Sequence, residues 1–305
     1  MKTGLVLPGG GSKGAFQVGV IDYLAKNNIC PMGIDFVSGV SVGALNALAV
    51  ASYAASASQL ELASIKLHKV WDFLGKDTDI WKLRWPPLLA ALWNPSIGLN
   101  LPLKRILEEF VDTGEIRKSR VKVRVSAVDL LSGELHEFDE TFWSLIPPVL
   151  ASSSFPLAFP PEVIGSFIYT DGGVRDISPL KSAIDYGCDR VIVICNRDPY
   201  NTQRIGPDQI KNTFQVAMRC IDIMEHEILR NDIVHCQKVN QAIERGAANP
   251  GRRKIQLEVI YPSLALGAPL HFNKELISSR VKQGLADAKK FYSSRSVIDL
   301  ANRCS

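Results

Sequence analysis

Short apolar runs alternate along this chain with longer stretches in which apolar residues recur every three or four positions. Residues 2–7 carry Thr-Gly-Leu-Val-Leu, stop at Pro8 and read as a buried strand. After them Phe16, Val20, Ile21 and Leu24 are apolar while Asp22 and Lys26 are polar, the spacing of an amphipathic helix. The run 34–38 predicts a second strand, and 44–51 a helix behind it. Farther on, 102–111 predicts an amphipathic helix, and 122–127 with 135–138 a strand pair around Ser132-Gly133. A helix interrupted by Pro147-Pro148 is expected over 141–150, one strand over 163–169, and a crossover helix over 180–186 before a strand at 190–195. The remaining expectations are long helical structure over 212–245, a strand over 252–261 and a closing helix over 274–292. Strands alternating with helices predict an α/β fold, a three-layer α/β/α sandwich around a mostly parallel central sheet.

Two glycine-rich turns interrupt this pattern where chemistry is expected. Gly39-Val40-Ser41-Val42-Gly43 follows the second strand and precedes a helix. A G-x-S-x-G between strand and helix lifts its serine into view as a nucleophile, and the glycines keep Cβ atoms out of a tight turn. Upstream, Gly9-Gly10-Gly11-Ser12-Lys13-Gly14 joins the first strand to the first helix. Its free N–H groups and the helix start suit an anion: a cofactor pyrophosphate, a nucleotide phosphate, or the oxyanion of an acyl-transfer intermediate. Gly9, Gly11 and Gly14 fit G-x-G-x-x-G, but Ser41 stands near the end of strand two, where a ribose-binding acid is required. A P-loop is excluded because the order is Ser12-Lys13-Gly14. The oxyanion reading accounts for both turns together, since adjacent parallel strands end on one side of a sheet.

A third element, Asp171-Gly172-Gly173, follows the stretch Ser152-Ser153-Ser154-Phe155-Pro156-Leu157-Ala158-Phe159-Pro160-Pro161, which suits a pocket wall. With these four ordered pieces, spanning about residues 4–180, the chain resembles the patatin-like phospholipases. The resemblance implies a serine–aspartate dyad acting on carboxylic esters of lipids. Ser41 would be the nucleophile, Asp171 its general base, and the N–H groups of Gly9, Gly10 and Gly11 the oxyanion hole. Lys13, Gly14, Gly39, Gly43, Gly172 and Gly173 would be the supporting motif positions. The chain departs from the family pattern after Asp-Gly-Gly, where Val174-Arg175-Asp176 stand. Apolar neighbours such as Ile168 and Phe155 would raise the pKa of Asp171 and make it a better base. A histidine triad through His226, His235 or His271 is the rival mechanism, in the order Ser…Asp…His. His226 and His235 read as solvated positions on a charged helix, and His68 and His136 as surface residues. An acyltransferase, and a silent protein that only binds lipid or a partner, are the alternative functions.

Hydrophobic residues make up 46% and charged residues 22% of the 305, the balance of one folded domain, 1–305. The net charge of +4 is too small to imply nucleic acid as a partner, and no basic stripe interleaved with aromatics occurs. Six cysteines occur singly without C-x-x-C, so no metal site is expected from them, no cofactor is expected, and calcium independence is expected because no acidic-loop ligand set appears. Residues 36–60 carry no charge, but they include the elbow. The uncharged stretch 85–103 is broken by Pro86, Pro87, Pro95 and Pro102, so no membrane span is expected. Lys2 leads directly into the first strand with no leader, which makes a cytoplasmic location the expectation, with leaderless export left open. Trp81, Trp85 and Trp93 lie in 80–101 with Lys82 and Arg84 and no acidic residue, the composition of a segment resting in lipid headgroups. An insertion over 75–118, helical and aromatic, is therefore expected to cover the entrance to the site and to meet a membrane surface peripherally.

Overall fold

In the computed structural model, residues 1–53, 57–75, 82–83, 93–246, 251 and 253–303 are described. In chain order these give β1 (Thr3–Leu7), α1 (Ala15–Lys26), β2 (Phe36–Gly39), α2 (Val42–Tyr53), α3 (Ala57–Phe73), β3 (Lys82–Leu83) and β4 (Gly98–Leu99). There follow α4 (Leu101–Phe110), α5 (Thr113–Lys118), β5 (Lys122–Asp129), β6 (Leu135–Asp139), α6 (Ile146–Ser152), β7 (Glu162–Ile164) and β8 (Phe167–Asp171). The chain continues through α7 (Leu180–Tyr186), β9 (Arg190–Ile194), α8 (Thr213–Glu244), β10 (Gln256–Ile260) and α9 (Lys274–Arg303).

Strand β1 is buried on both faces, and its side chains divide between two cores. Leu5 and Leu7 join a core that contains α1, α2 and α3, whereas Val6 joins a second core with Leu180 and Ala183 of α7 and Leu229 and Ile233 of α8. That alternation is what a strand covered by helices on both sides requires, and it fixes the three layers. The main sheet runs β10-β9-β1-β2-β5-β8-β7, with β6 also paired to β5. It is mixed. From β10 through β5 every pairing is parallel, whereas β5–β6, β5–β8 and β7–β8 are antiparallel. The single strand expected over 163–169 is instead the hairpin β7–β8, which turns at Gly165 with φ +63°.

Helix α1 is amphipathic in sequence but surrounded in space. Ten of its twelve residues are buried, including Asp22, because α3 meets the helix at Asp22 and α9 packs closely against it at Gly19. Gly19 and Gly284 permit this: a methyl on Gly19 would strike the Val281 carbonyl, and one on Gly284 the Phe16 carbonyl. Asp22 is satisfied by Lys26 Nζ at 2.8 Å and by the hydroxyl of Ser64 at 3.1 Å. Among the described residues no helix is long and apolar enough to cross a membrane.

Candidate active site

Register along the sheet brings the three sequence motifs to one place. Leu7 pairs with Gly39, so β1 and β2 end level and release the glycine turn and the elbow side by side. On the other flank Gly39 pairs with Val125 of β5, and two residues along the same strand Ala127 pairs with Asp171. Two residues of strand span about 7 Å, so β5 acts as a ruler setting Asp171 beside the start of the elbow.

At the elbow, Ser41 has φ +55°, a conformation that costs a non-glycine residue energy and turns its side chain away from the strand line. The turn is held by Gly43 N–H to Val40 O at 2.8 Å and by Ser41 N–H to the hydroxyl of Ser152 at 2.8 Å. Methyls on Gly39 or Gly43 would run into the backbone of Gly43 or Leu7, so both positions admit only glycine.

The glycine turn lies against the elbow: a methyl on Gly9 would be 3.2 Å from Ser41 Cβ, and one on Gly14 2.7 Å from Val42. Its orientation is set from below. Asn196, just beyond β9, donates from its amide nitrogen to the carbonyls of Pro8 at 2.9 Å and Gly9 at 3.0 Å. Gln17 adds a bond to Pro8 O at 2.9 Å, and a buried chain runs on through Asn46 to the indole of Trp71. Engaging the carbonyls leaves the N–H groups on the opposite side. Neither Gly10 nor Gly11 donates its N–H to any described residue. Gly9, expected among the anion donors, is not one of them: its N–H is committed to Ile177 O at 3.2 Å.

Asp171 is 1% exposed. Its Oδ1 accepts the N–H of Gly173 at 2.8 Å, while Oδ2 is buried without a partner of hydrogen-bond geometry. Burial pushes its pKa from 3.8 up to about 7; the Gly173 N–H opposes the rise, the nearby Glu225 carboxylate adds to it, and the Ser41 hydroxyl opposes it. Lys13 is also buried, and desolvation, reinforced by Arg197, lowers its pKa to about 8. Arg175 and Asp176, where the chain leaves the family pattern, turn elsewhere: Arg175 bonds Gly133 O, and Asp176 accepts from Ser178 N–H.

A cavity of about 560 Å³ unites these parts, lined by Ser41, Asp171, Gly10, Gly11 and Lys13. Its apolar lining includes Val42, Leu45, Leu74, Leu103, Phe155 and Phe159. The lining also includes the polar residues Arg197, Arg219, Asp222, Glu225 and glutamines 203, 209 and 215, interleaved in sequence with Ile205, Phe214 and Met218. Phe155 thus walls the site as expected, whereas Ile168 is not among the lining residues. Gly14, Gly39, Gly43, Gly172 and Gly173 serve as close-packing positions behind the lining; a methyl on Gly172 would strike Ser126 O.

Of the histidines, His271 is at the cavity wall, whereas His226 is buried and its Nε2 pairs with Asp198 O at 3.1 Å, so it is not the solvated residue expected. His235 is exposed on α8, and neither His226 nor His235 lines the cavity. No group of three or more His, Cys, Asp or Glu suited to a metal occurs among the described residues. Leu74, just before the expected insertion, and Leu103, within it, reach the cavity, but Trp81 and Trp85 lie outside the described residues; Trp93 is 82% exposed.

Sequence reasoning missed the groups supplied by the final third of the chain. Besides Asn196 and Glu225 these include Arg280 of α9, 1% exposed, which bonds Ser12 Oγ at 2.5 Å and the carbonyls of Leu266, Ala268 and His271. Ser12 in turn donates its N–H to Pro269 O at 2.7 Å, so the 266–271 loop is clamped onto the glycine turn. The family model described as patatin-like phospholipase matches residues 5–184, and these groups lie beyond it. Among solved structures, VipD from Legionella pneumophila aligns over 96% of this chain and 67% of its own, with a TM-score of 0.43 and 15% identity.

Proposed function

The chain belongs to the patatin-like phospholipase family, and from that premise we propose that it hydrolyses carboxylic esters of glycerophospholipids through Ser41 and Asp171. The observation that carries this reading is convergence: a strained serine, a buried carboxyl with an unpartnered Oδ2 and two unengaged glycine N–H groups border one cavity.

Ser41 Oγ attacks the ester carbonyl as its proton passes to Asp171 Oδ2. An aspartate in water is a weak base; one whose pKa lies near 7 is matched to neutral conditions. Gly10 and Gly11 N–H groups face the developing oxyanion, where losing one such donor typically costs about 3 kcal/mol. Collapse of the tetrahedral intermediate breaks the bond to the leaving alcohol, which takes the proton from Asp171 and leaves the acyl group on Ser41. Water then repeats the sequence, its proton going to Asp171, its oxygen to the acyl carbon, and Ser41 regaining its proton. The apolar lining residues receive the acyl chain, and the polar ones face the glycerol and headgroup.

The test is hydrolysis of phospholipid vesicles by wild type, Ser41→Ala and Asp171→Asn, with labelling by a fluorophosphonate. Both variants are expected to lose turnover while remaining folded, and Ser41→Ala to lose the label. Near-normal turnover by Asp171→Asn would end the dyad and return attention to His271.

A further inference from the structure

The carboxyl of Asp171 has an acidic neighbour from a distant part of the chain. Glu225, on α8, is 8% exposed and lines the same cavity. The two acids flank one small residue: a methyl on Gly173 would lie 3.1 Å from Asp171 Oδ1 and 3.5 Å from Glu225 Oε1. Glu225 is itself gripped. Arg197 Nη2 donates to Glu225 Oε2 at 2.9 Å, while Arg197 Nη1 reaches the carbonyl of Asp222 at 2.8 Å and its carboxylate at 3.0 Å.

A buried carboxylate stays ionised only with a partner. Burial pushes the Glu225 carboxyl upward and Arg197 pulls it back. Beside a carboxylate so held, a second carboxyl resists losing its proton, because like charges in a poorly solvated place repel. Glu225 therefore stands to Asp171 as a negative charge across Gly173.

We propose that Glu225, held by Arg197, is a positioning residue of the Ser41–Asp171 pair, its negative charge strengthening Asp171 as a proton acceptor. The inference rests on Asp171 being the base. The charged groups that bear on the two acids are Lys13 of the glycine turn, Arg197 after β9 and Asp222 of α8, with Ser41 and the Gly173 N–H facing Asp171 alone. A side chain at 173 would meet Ile177 Cδ1 first, at 2.6 Å, and then the Asp171 carboxyl, so the space between the acids is kept by glycine.

The experiment follows kcat/KM on a soluble short-chain ester from pH 5 to 9 for wild type, Glu225→Gln and Asp171→Asn. Wild type is expected to show an acid limb near the Asp171 value of about 7. Glu225→Gln should move that limb down by about one pH unit, so that near pH 5 it retains several-fold more of its plateau activity than wild type does. Glu225→Asp, which keeps the charge, should return the limb toward the wild-type position. If the glutamine variant fails to fold, Glu225→Leu removes the same charge and carries the same expectation. An unmoved limb in a folded, charge-free variant, with Asp171→Asn inactive, overturns this inference and leaves the dyad standing. Turnover surviving in Asp171→Asn overturns both.

Discussion

Replacing Asp171 by asparagine should make the protein sturdier as the pH rises, by an amount set by where that carboxyl sits. Its pKa moves from 3.8 in the open chain to about 7 in the fold. A native pKa above the unfolded one means that the folded state favours the proton. The associated stability is fully present below 3.8 and is lost as pH climbs through about 7. Each unit is worth about 1.4 kcal/mol, so wild type gives up about 4 kcal/mol across the whole window. The asparagine side chain has no such proton to lose, and its oxygen can still accept the Gly173 N–H. Asp176 and Asp232 also have raised pKa values, but both proteins share them and they cancel in the difference. Urea unfolding of the two proteins at pH 5, 6, 7 and 8.5 measures the gap directly. It should widen in favour of the Asp171→Asn variant by about 3 kcal/mol from pH 5 to 8.5 and then level off. A gap that stays constant with pH would refute the claim that Asp171 holds a proton to neutrality. Under the proposed dyad, a variant that loses turnover would thus gain stability over wild type as the pH rises, the trade expected where a site is built from desolvated charge.

Two further outcomes are expected. Arg280→Met strips the donor from Ser12 Oγ and from the carbonyls of the 266–271 loop. Unmade bonds of this kind cost about 1–3 kcal/mol each, so chemical unfolding should show a loss of about 3 kcal/mol and fluorophosphonate labelling of Ser41 should slow. Trp93→Ala, at a position 82% exposed, is expected to weaken sedimentation with phospholipid vesicles while leaving hydrolysis of a short soluble ester unchanged; equal loss on both substrates would count against a lipid-facing role.

The parts legible in sequence are those whose chemistry is local. The elbow and the glycine turn are contiguous, glycine-flanked and bounded by apolar runs, so backbone sterics announce them. The layers were legible for the same reason: β1 is apolar on both faces, as a strand between helices must be. Antiparallel pairing on the β5 flank was harder to see, because a turn at Gly165 divides β7 from β8 in a stretch that reads as one strand. The polar positions of α1 misled because nothing near Asp22 reveals that Ser64 of α3 will cover it; the clue to the α9 contact was a pair of glycines, 19 and 284, far apart in the chain. Glu225 and Arg280 sit in long helices rich in charge, where a buried acid or base has the same local spacing as a solvated one. Gly9 belonged to the right loop, and its commitment to Ile177 depends on a contact with a distant part of the chain.

The bond between Arg280 and Ser12 closes a loop of 268 residues. A ribosome releases Ser41 and Asp171 long before it reaches α9, yet the amides beside Ser12 gain their clamp only when that helix docks. An emerging chain therefore holds its glycine turn without this clamp until translation has passed Arg280. Under the proposed mechanism, truncated products that stop short of α9 should fail to hydrolyse esters for the same reason.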